Sequence, residues 1–266
     1  MRDFRRKDIH AFAIVSAFFA ITCLLSIAPA SAGAIRCLAA DGATCWAVGD
    51  GGTILYSSDS GATWQRLASA LPVNFQSVRA GGGQVWVFGG VGVPGHPEGA
   101  GVGVILFSPD RGRSFHIVPA GPAGWLGGGC FAGTTGVTFG QASWSAPAGI
   151  LTTTDGGKTW TAPACSSLGY ALGGDFVNPL RGYVVGQDNR IVSLRELTEA
   201  AYHPPASAAR LDLHALAFCD DTQCWTVGEN GRILRSRTAA RPWDTVSLTL
   251  PGRAIMLADL DAVAAQ

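Results

Sequence analysis

Ser57-Ser58-Asp59-Ser60-Gly61-Ala62-Thr63-Trp64 is the stretch that decides the fold. It recurs as Thr153-Thr154-Asp155-Gly156-Gly157-Lys158-Thr159-Trp160, with the same skeleton of hydroxyl, any residue, Asp, any residue, Gly, any residue, Thr, Trp. Ser108-Pro109-Asp110-Arg111-Gly112-Arg113-Ser114-Phe115 is a worn copy, and Ser236 to Trp243 keeps only the Ser and the Trp. A unit that recurs makes this a repeat protein. Asp and Ser close turns by bonding backbone amides a residue or two onward. Gly supplies a conformation that a Cβ penalises. Trp anchors the turn with apolar area and one N–H. Each copy therefore reads as a hairpin turn with its own fasteners.

Two further signatures share the period. A large apolar residue, any residue, Val or Phe, then Gly appears at Trp46–Gly49, Trp86–Gly89, Val137–Gly140, Tyr183–Gly186 and Trp225–Gly228. Successive glycines are 40, 51, 46 and 42 residues apart, a spacing suited to one four-stranded unit. Ile54-Leu55, Ile105-Leu106, Ile150-Leu151, Ile191-Val192 and Ile233-Leu234 each precede a turn-motif position. With an apolar run before each glycine signature and a short one after each Trp position, every unit holds four strand-like runs. The fold class expected is all-β, a β-propeller of four-stranded antiparallel blades with five repeats, at about 33–69, 70–120, 121–167, 168–210 and 211–250. Leu194–Ala201 is the one helical exception, in place of the fourth unit's turn box. The tail 251–266 contains Ala254–Val263, similar to the first strand of a further unit. Two readings stay open: five blades close with the tail as a latch, or the chain is part of a larger ring.

The turn motif resembles the Asp-box, or BNR repeat, of sialidase-like β-propellers. In those relatives the boxes are structural turns on the rim. Ser57, Asp59, Gly61, Trp64, Asp110, Gly112, Asp155, Gly157 and Trp160 are the box positions here. The whole cadence is most similar to the photosystem II stability and assembly factor-like proteins, carried by Cys45–Trp64, Gly149–Trp160 and Cys224–Leu234. That resemblance implies a non-catalytic propeller that holds or helps assemble membrane proteins. The boxes of units two, four and five depart from it, as does a count of five blades against their usual seven. A sialidase-like glycoside hydrolase or glycan-binding lectin is the alternative. The family's catalysis needs an arginine triad, an Asp and a Tyr–Glu pair. Ala34-Ile35-Arg36 is the nearest approach to its Arg-Ile-Pro motif and lacks the Pro. Tyr56 and Tyr183 fall inside strand signatures. No catalytic residue, metal site or cofactor is marked out.

Residues 1–32 read as a signal peptide: a basic start at Arg2, Arg5, Arg6 and Lys7, an apolar run from Ala11 to Ala28, and Ala30-Ser31-Ala32 for cleavage. The protein is then periplasmic or secreted, with an uncleaved N-terminal anchor as the other reading. Removing four basic and two acidic residues leaves 15 basic and 17 acidic from Gly33 onward. No phosphate-neutralising field results, so nucleic acid is excluded as a partner. Six cysteines remain: Cys37, Cys45, Cys130, Cys165, Cys219 and Cys224. An exported chain with an even number reads as disulfide-bonded. Register within the repeat predicts Cys37–Cys45 and Cys219–Cys224 across hairpins, leaving Cys130 with Cys165.

Binding is expected on the end opposite the boxes, on loops that a rigid scaffold holds. Two connections there are long: Gly90–Val102 with His96 and Glu98, and Gln141–Ala148 with Trp144. Trp144 is the foremost candidate, with capping of its own blade edge as the alternative. Arg235 and Arg237 share a strand face by alternation and form a possible acidic-partner patch beside Arg232 and Arg241. The partner expected is a protein, with a membrane protein or envelope complex favoured and a glycan as the other class.

Overall fold

The computed structural model describes residues 33–67, 71–91, 101–121, 124–143, 146–163, 171–196, 201–202, 210–220, 222–237 and 243–246. The signal segment 1–32, the tail 251–266, His96, Glu98, Trp144, Cys165 and Arg241 lie outside them. Two compact units divide the chain, one carrying the first two blades and the other the remaining three.

In the first unit, blade 1 comprises β1 (Ile35–Asp41), β2 (Thr44–Gly49), β3 (Thr53–Ser57) and β4 (Gln65–Leu67). Blade 2 comprises β5 (Asn74–Gly81), β6 (Gln84–Val91), β7 (Val102–Ser108) and β8 (His116–Val118). Each sheet runs in sequence order with antiparallel neighbours. Trp46, Val48 and Ile54 of blade 1 pack with Phe75, Val78, Val85 and Val87 of blade 2. Strand alternation puts these apolar positions on one face of each sheet. Burying each of these side chains stabilises the fold by about 1.5–3 kcal/mol.

In the second unit, blade 3 has β9 (Leu126–Ala132), β10 (Thr135–Gly140) and β11 (Ile150–Thr153). Its fourth run shrinks to one bridge, Thr152 with Thr161. The next outward pair would set Ile150 against Pro163, which has no N–H to give. Blade 4 has β12 (Ala171–Asn178), β13 (Arg181–Gly186), β14 (Ile191–Ser193) and β15 (Ala201–Tyr202). Blade 5 has β16 (Leu213–Phe218), β17 (Cys224–Gly228), β18 (Ile233–Ser236) and β19 (Asp244–Thr245). Phe139 of blade 3 packs on Phe176 of blade 4, and Tyr183 of blade 4 on Trp243 of blade 5. Of the helical exception expected at Leu194–Ala201, the described residues form a 3-10 turn at Leu194–Glu196, Ala201 belongs to β15, and 197–200 lie outside the described residues.

The signature glycine of the second strand has a steric cause in blades 1, 2, 3 and 5. Its backbone at Gly49, Gly186 and Gly228 is extended, so left-handed torsion is not the reason. At Gly89, Gly140 and Gly228 a Cβ would stand 2.0–2.2 Å from the carbonyl oxygen of the residue just before the blade's first strand or opening it: Asn74, Trp125 or Asp212. A register shift in the first strand lies beside each close approach: between Phe75 and Ser77, between Leu126 and Gly128 (opposite Gly140 and Phe139), and between Leu213 and Ala215. Such bulges sharpen the twist and bring the backbones together.

The expected Cys37–Cys45 disulfide is corrected. Cys37 lies opposite Val48, whereas Cys45 lies opposite Ala40. Three residues of offset separate them by about 10 Å along the strand and put them on opposite faces. That exceeds the ~7 Å Cα span of a disulfide. Cys37 Sγ is directed at blade 2, 3.8 Å from the Val78 oxygen, and both cysteines are free thiols. Cys219 and Cys224 are also free thiols. Phe218 is the partner of Cys224, and Cys219 N–H donates to Gln223 O at 2.9 Å, so the two cysteines occupy successive rungs with opposite faces. Cys130 packs on the blade 3–4 core, and its expected mate Cys165 is outside the described residues.

Candidate functional site

In blades 1, 2 and 3 one end is occupied by a turn box. In the first, Ser57 Oγ accepts from Gly61 N at 2.9 Å and donates to Asp59 Oδ1 at 2.7 Å. Asp59 then accepts from Thr63 N at 2.8 Å and from the Thr63 hydroxyl. The same network joins Ser108, Asp110, Gly112 and Ser114, and joins Thr153, Asp155, Gly157 and Thr159. Residues four and five of each box take positive φ: Ser60 and Gly61, Arg111 and Gly112, Gly156 and Gly157. The fourth residue's N–H donates to the turn joining strands one and two of its own blade: Ser60 to Ala43 at 2.8 Å, Arg111 to Gly83 at 2.9 Å, and Gly156 to Thr134 at 2.7 Å.

This network sets the electrostatics. The Thr63 hydroxyl, the Ser57 hydroxyl and the Thr63 amide hold Asp59 at a pKa of about 2. Asp110 is lowered to about 2 chiefly by Ser114, and Asp155 to about 2 chiefly by Thr159. Hydrogen bonds to the ionised form produce such shifts. A general acid at neutral pH needs a raised pKa, so the box carboxylates are poorly matched to that task.

The aromatic fasteners differ between boxes. Trp64 Nε1 donates to Gly61 O at 2.9 Å within its own turn. Trp160 Nε1 donates instead to Pro119 O at 2.8 Å, on the stretch leading into blade 3. Phe115 has no N–H and packs on the blade 1–2 core. Trp243 is buried and meets the Tyr183 ring edge-on at 5.3 Å.

The opposite end carries the connections between strands two and three. Three of them are tight turns: Asp50–Gly52, Gln187–Asn189 and Glu229–Gly231. These are clasps, which the sequence reading missed. Gly52 N–H donates to Val73 O, ahead of β5, and Asn189 N–H donates to Leu211 O, ahead of β16, each at 2.6 Å. Arg36, of the stretch nearest to an Arg-Ile-Pro motif, is engaged here: its Nε donates to Asp50 Oδ1 at 2.6 Å. The Arg36 bond holds Asp50 below the usual carboxylate range. The signal for these clasps was Gly51-Gly52, Asp188-Asn189 and Asn230-Gly231, each ending two residues before its Ile-Leu or Ile-Val pair.

The remaining two connections are the long ones. In blade 3, Gln141 N–H donates to Trp125 O at 2.8 Å, which ties the loop's base to the residue before β9. Ser143 and Ala146 exchange both backbone hydrogen bonds at 3.1 Å, and Ser143 Oγ also accepts from Ala146 N. Trp144 itself, like His96 and Glu98, is outside the described residues. Arg235 lies 5.1 Å over the Trp225 ring, and Arg237 is exposed beyond the end of β18. Among the described residues no group of three or more His, Cys, Asp or Glu is placed to hold a metal ion. No helix among them is long and apolar enough to cross a membrane.

No protein-family model matches the sequence, and no curated protein matches it. Among solved structures, the chain is similar to a GH74 xyloglucanase from Xanthomonas campestris, at a TM-score of 0.54 and 14% identity. The fold is a β-propeller. That match spans 80% of this chain and 38% of the xyloglucanase, and at such identity it concerns fold alone. The chain is also similar to YCF48 from Cyanidioschyzon merolae, at a TM-score of 0.42 and 16% identity over 83% of this chain and 87% of that one. A structure of YCF48 bound to D1 peptide gives 0.45 and 17%, over 82% of each chain.

Proposed function

We propose that this chain is an exported, non-catalytic propeller scaffold that binds a protein partner at the end opposite its turn boxes. The observation that carries this reading is the threefold engagement of Asp59, Asp110 and Asp155 by hydroxyls and amides of their own turns. The motif that first suggests sialidase chemistry is thereby occupied with structure. The Asp-box cadence is similar to that of photosystem II assembly factor-like proteins, which supports a holding or assembly role. A membrane protein or envelope complex is the partner class this favours.

The binding surface centres on Trp144, on a loop whose base is held at Gln141 and whose arms are joined at Ser143 and Ala146. A rigid base under an aromatic residue lowers the entropy cost of recognition. The test is capture of a partner from detergent-solubilised envelope extract by the tagged protein. Trp144→Ala is expected to weaken capture at least tenfold, whereas Asp59→Asn, at the other end, leaves it unchanged. Equal capture by both variants would overturn the loop assignment. Turnover on a panel of aryl glycosides, lost on replacing a single carboxylate, would overturn the non-catalytic reading. N-terminal sequencing of protein from the periplasm or medium should begin at Gly33.

A further inference from the structure

The turn box of blade 2 differs from those of blades 1 and 3 in charge. Its fourth and sixth residues are Arg111 and Arg113, where blade 1 has Ser60 and Ala62 and blade 3 has Gly156 and Lys158. Both arginines are exposed. Arg111 also bears a torsion that suits glycine: its φ is +60, against +74 for Gly156 at the same position. A charged residue kept in a strained torsion points to a use for its side chain.

Among the described residues neither arginine forms an ion pair. The carboxylates described in the first unit are engaged elsewhere. Asp41 Oδ2 accepts from Gly83 N at 3.1 Å, Asp50 accepts from Arg36, and Asp59 and Asp110 are closed within their own boxes. The stem of Arg111 lies along the turn between β5 and β6: a Cβ on Gly83 would stand 3.8 Å from its Cγ and 3.7 Å from its Nε. The backbone beneath is fixed from two sides. Arg111 N–H donates to Gly83 O at 2.9 Å, and Gly112 N–H donates to Ser108 Oγ at 2.7 Å. A backbone already held lowers the entropy cost of binding. Strand β8 follows the box directly, with His116 exposed and Ile117 exposed by 64%. Two unpaired cations and an open aliphatic side chain thus stand on a chain that carries 15 basic and 17 acidic residues from Gly33 onward.

We propose that the box end of blade 2 is a second interaction surface, which takes an acidic polypeptide segment on Arg111 and Arg113, with Ile117 meeting its apolar side chains. The guanidinium fork matches a carboxylate with two parallel hydrogen bonds. A segment of this kind is favoured over a lipid surface by the path of the chain. Ala34 N–H donates to Asp50 Oδ2 at 3.2 Å, so the chain enters blade 1 at the clasp end. Any attachment to a membrane through the residues before Gly33 turns the box end away from the bilayer. The surface is distinct from the Trp144 loop, which belongs to the end opposite the boxes, and either assignment can fail alone.

The test uses the full chain and a fluorescent Glu-rich peptide, with its Gln counterpart as reference. The parent should bind the Glu peptide about tenfold more tightly than the Gln peptide, and more weakly as salt rises. Arg111→Ser combined with Arg113→Ala gives this box the residues that blade 1 carries, so the fold should hold and Tm should stay within about 2 °C. That double variant should bind the Glu peptide about tenfold more weakly. Ile117→Ser should weaken it about threefold. Arg210→Ala, at the clasp end, should leave it within about twofold. No preference for the Glu peptide, or an equal loss in Arg210→Ala, would overturn the proposal. Tighter binding of phosphatidylglycerol vesicles or of duplex DNA through the same two arginines would also overturn it and assign the surface to that partner.

Discussion

Gly112 of blade 2 lies against the indole of Trp46 in blade 1: a Cβ on Gly112 would stand 2.8 Å from Trp46 Nε1. Trp46 is fully buried, and its Nε1 has no hydrogen-bond partner. Gly112 also holds φ +82, so it is glycine for two independent reasons. Gly112→Ala is expected to cost about 2–4 kcal/mol, from torsional strain plus displacement of a buried ring. Gly42→Ala is the control: its φ is +66, but nothing lies within 4 Å of the added carbon. It should cost only about 1 kcal/mol. Urea unfolding of both variants measures the difference.

The box aspartates make stability depend on acid. Asp59, Asp110 and Asp155 have folded pKa values of about 2, below the roughly 3.9 of an unfolded Asp. Their folded state binds protons less readily than the unfolded one. Their contribution is therefore present above about pH 4 and lost as pH falls toward 2. Tm is expected to decline over that window, and the decline should flatten in a triple Asp→Asn variant. An equally steep decline in that variant would show that other groups govern it.

The fourth box residue is left-handed in all three copies, yet only Gly156 is a glycine there. Ser60 and Arg111 hold φ +60 each. Ser60→Gly and Arg111→Gly should relieve up to about 1 kcal/mol of strain, partly offset by the freedom Gly adds to the unfolded chain. Chemical denaturation should show both variants at least as stable as the parent.

The thiols should be distinguishable by reactivity. Burial pushes Cys224 up to about 12, and burial raises Cys45 as well. Alkylation of the native protein at pH 8 should therefore spare Cys224. A non-reducing digest should release Cys37 and Cys45 in separate peptides. A cross-linked Cys37–Cys45 peptide would contradict the β1–β2 register.

Much of the fold is legible in the chain because its signals are local. A box such as 57–64 closes on itself, so its residues are visible together in eight letters. The same is true of strand runs such as His116–Val118, which form β8 as read. The candidate site was less legible. Arg36 lies in the stretch nearest to an Arg-Ile-Pro motif, and its bond to Asp50, 14 residues away, is visible only in the fold. The clasping turns at Gly52 and Asn189 bond to carbonyls of Val73 and Leu211, and nothing in a tripeptide reveals its partner in the next blade.

The amino-acid sequence by itself determined the period, the four-strand unit and the self-fastened turns, because each depends on neighbours within about ten residues. The tertiary structure alone decided which faces the side chains serve. A pairing register offset by three sends Cys37 toward blade 2 and Cys45 away from it, and so undoes a disulfide that spacing suggested. It also showed why the second strands of blades 2, 3 and 5 carry their signature glycine. The carbonyl that a Cβ would strike, at Asn74 or Asp212, is brought there by a bulge in another strand. Spacing along a chain fixes what is near in sequence, whereas side-chain direction follows from pairing across strands, where one residue of shift exchanges the two faces.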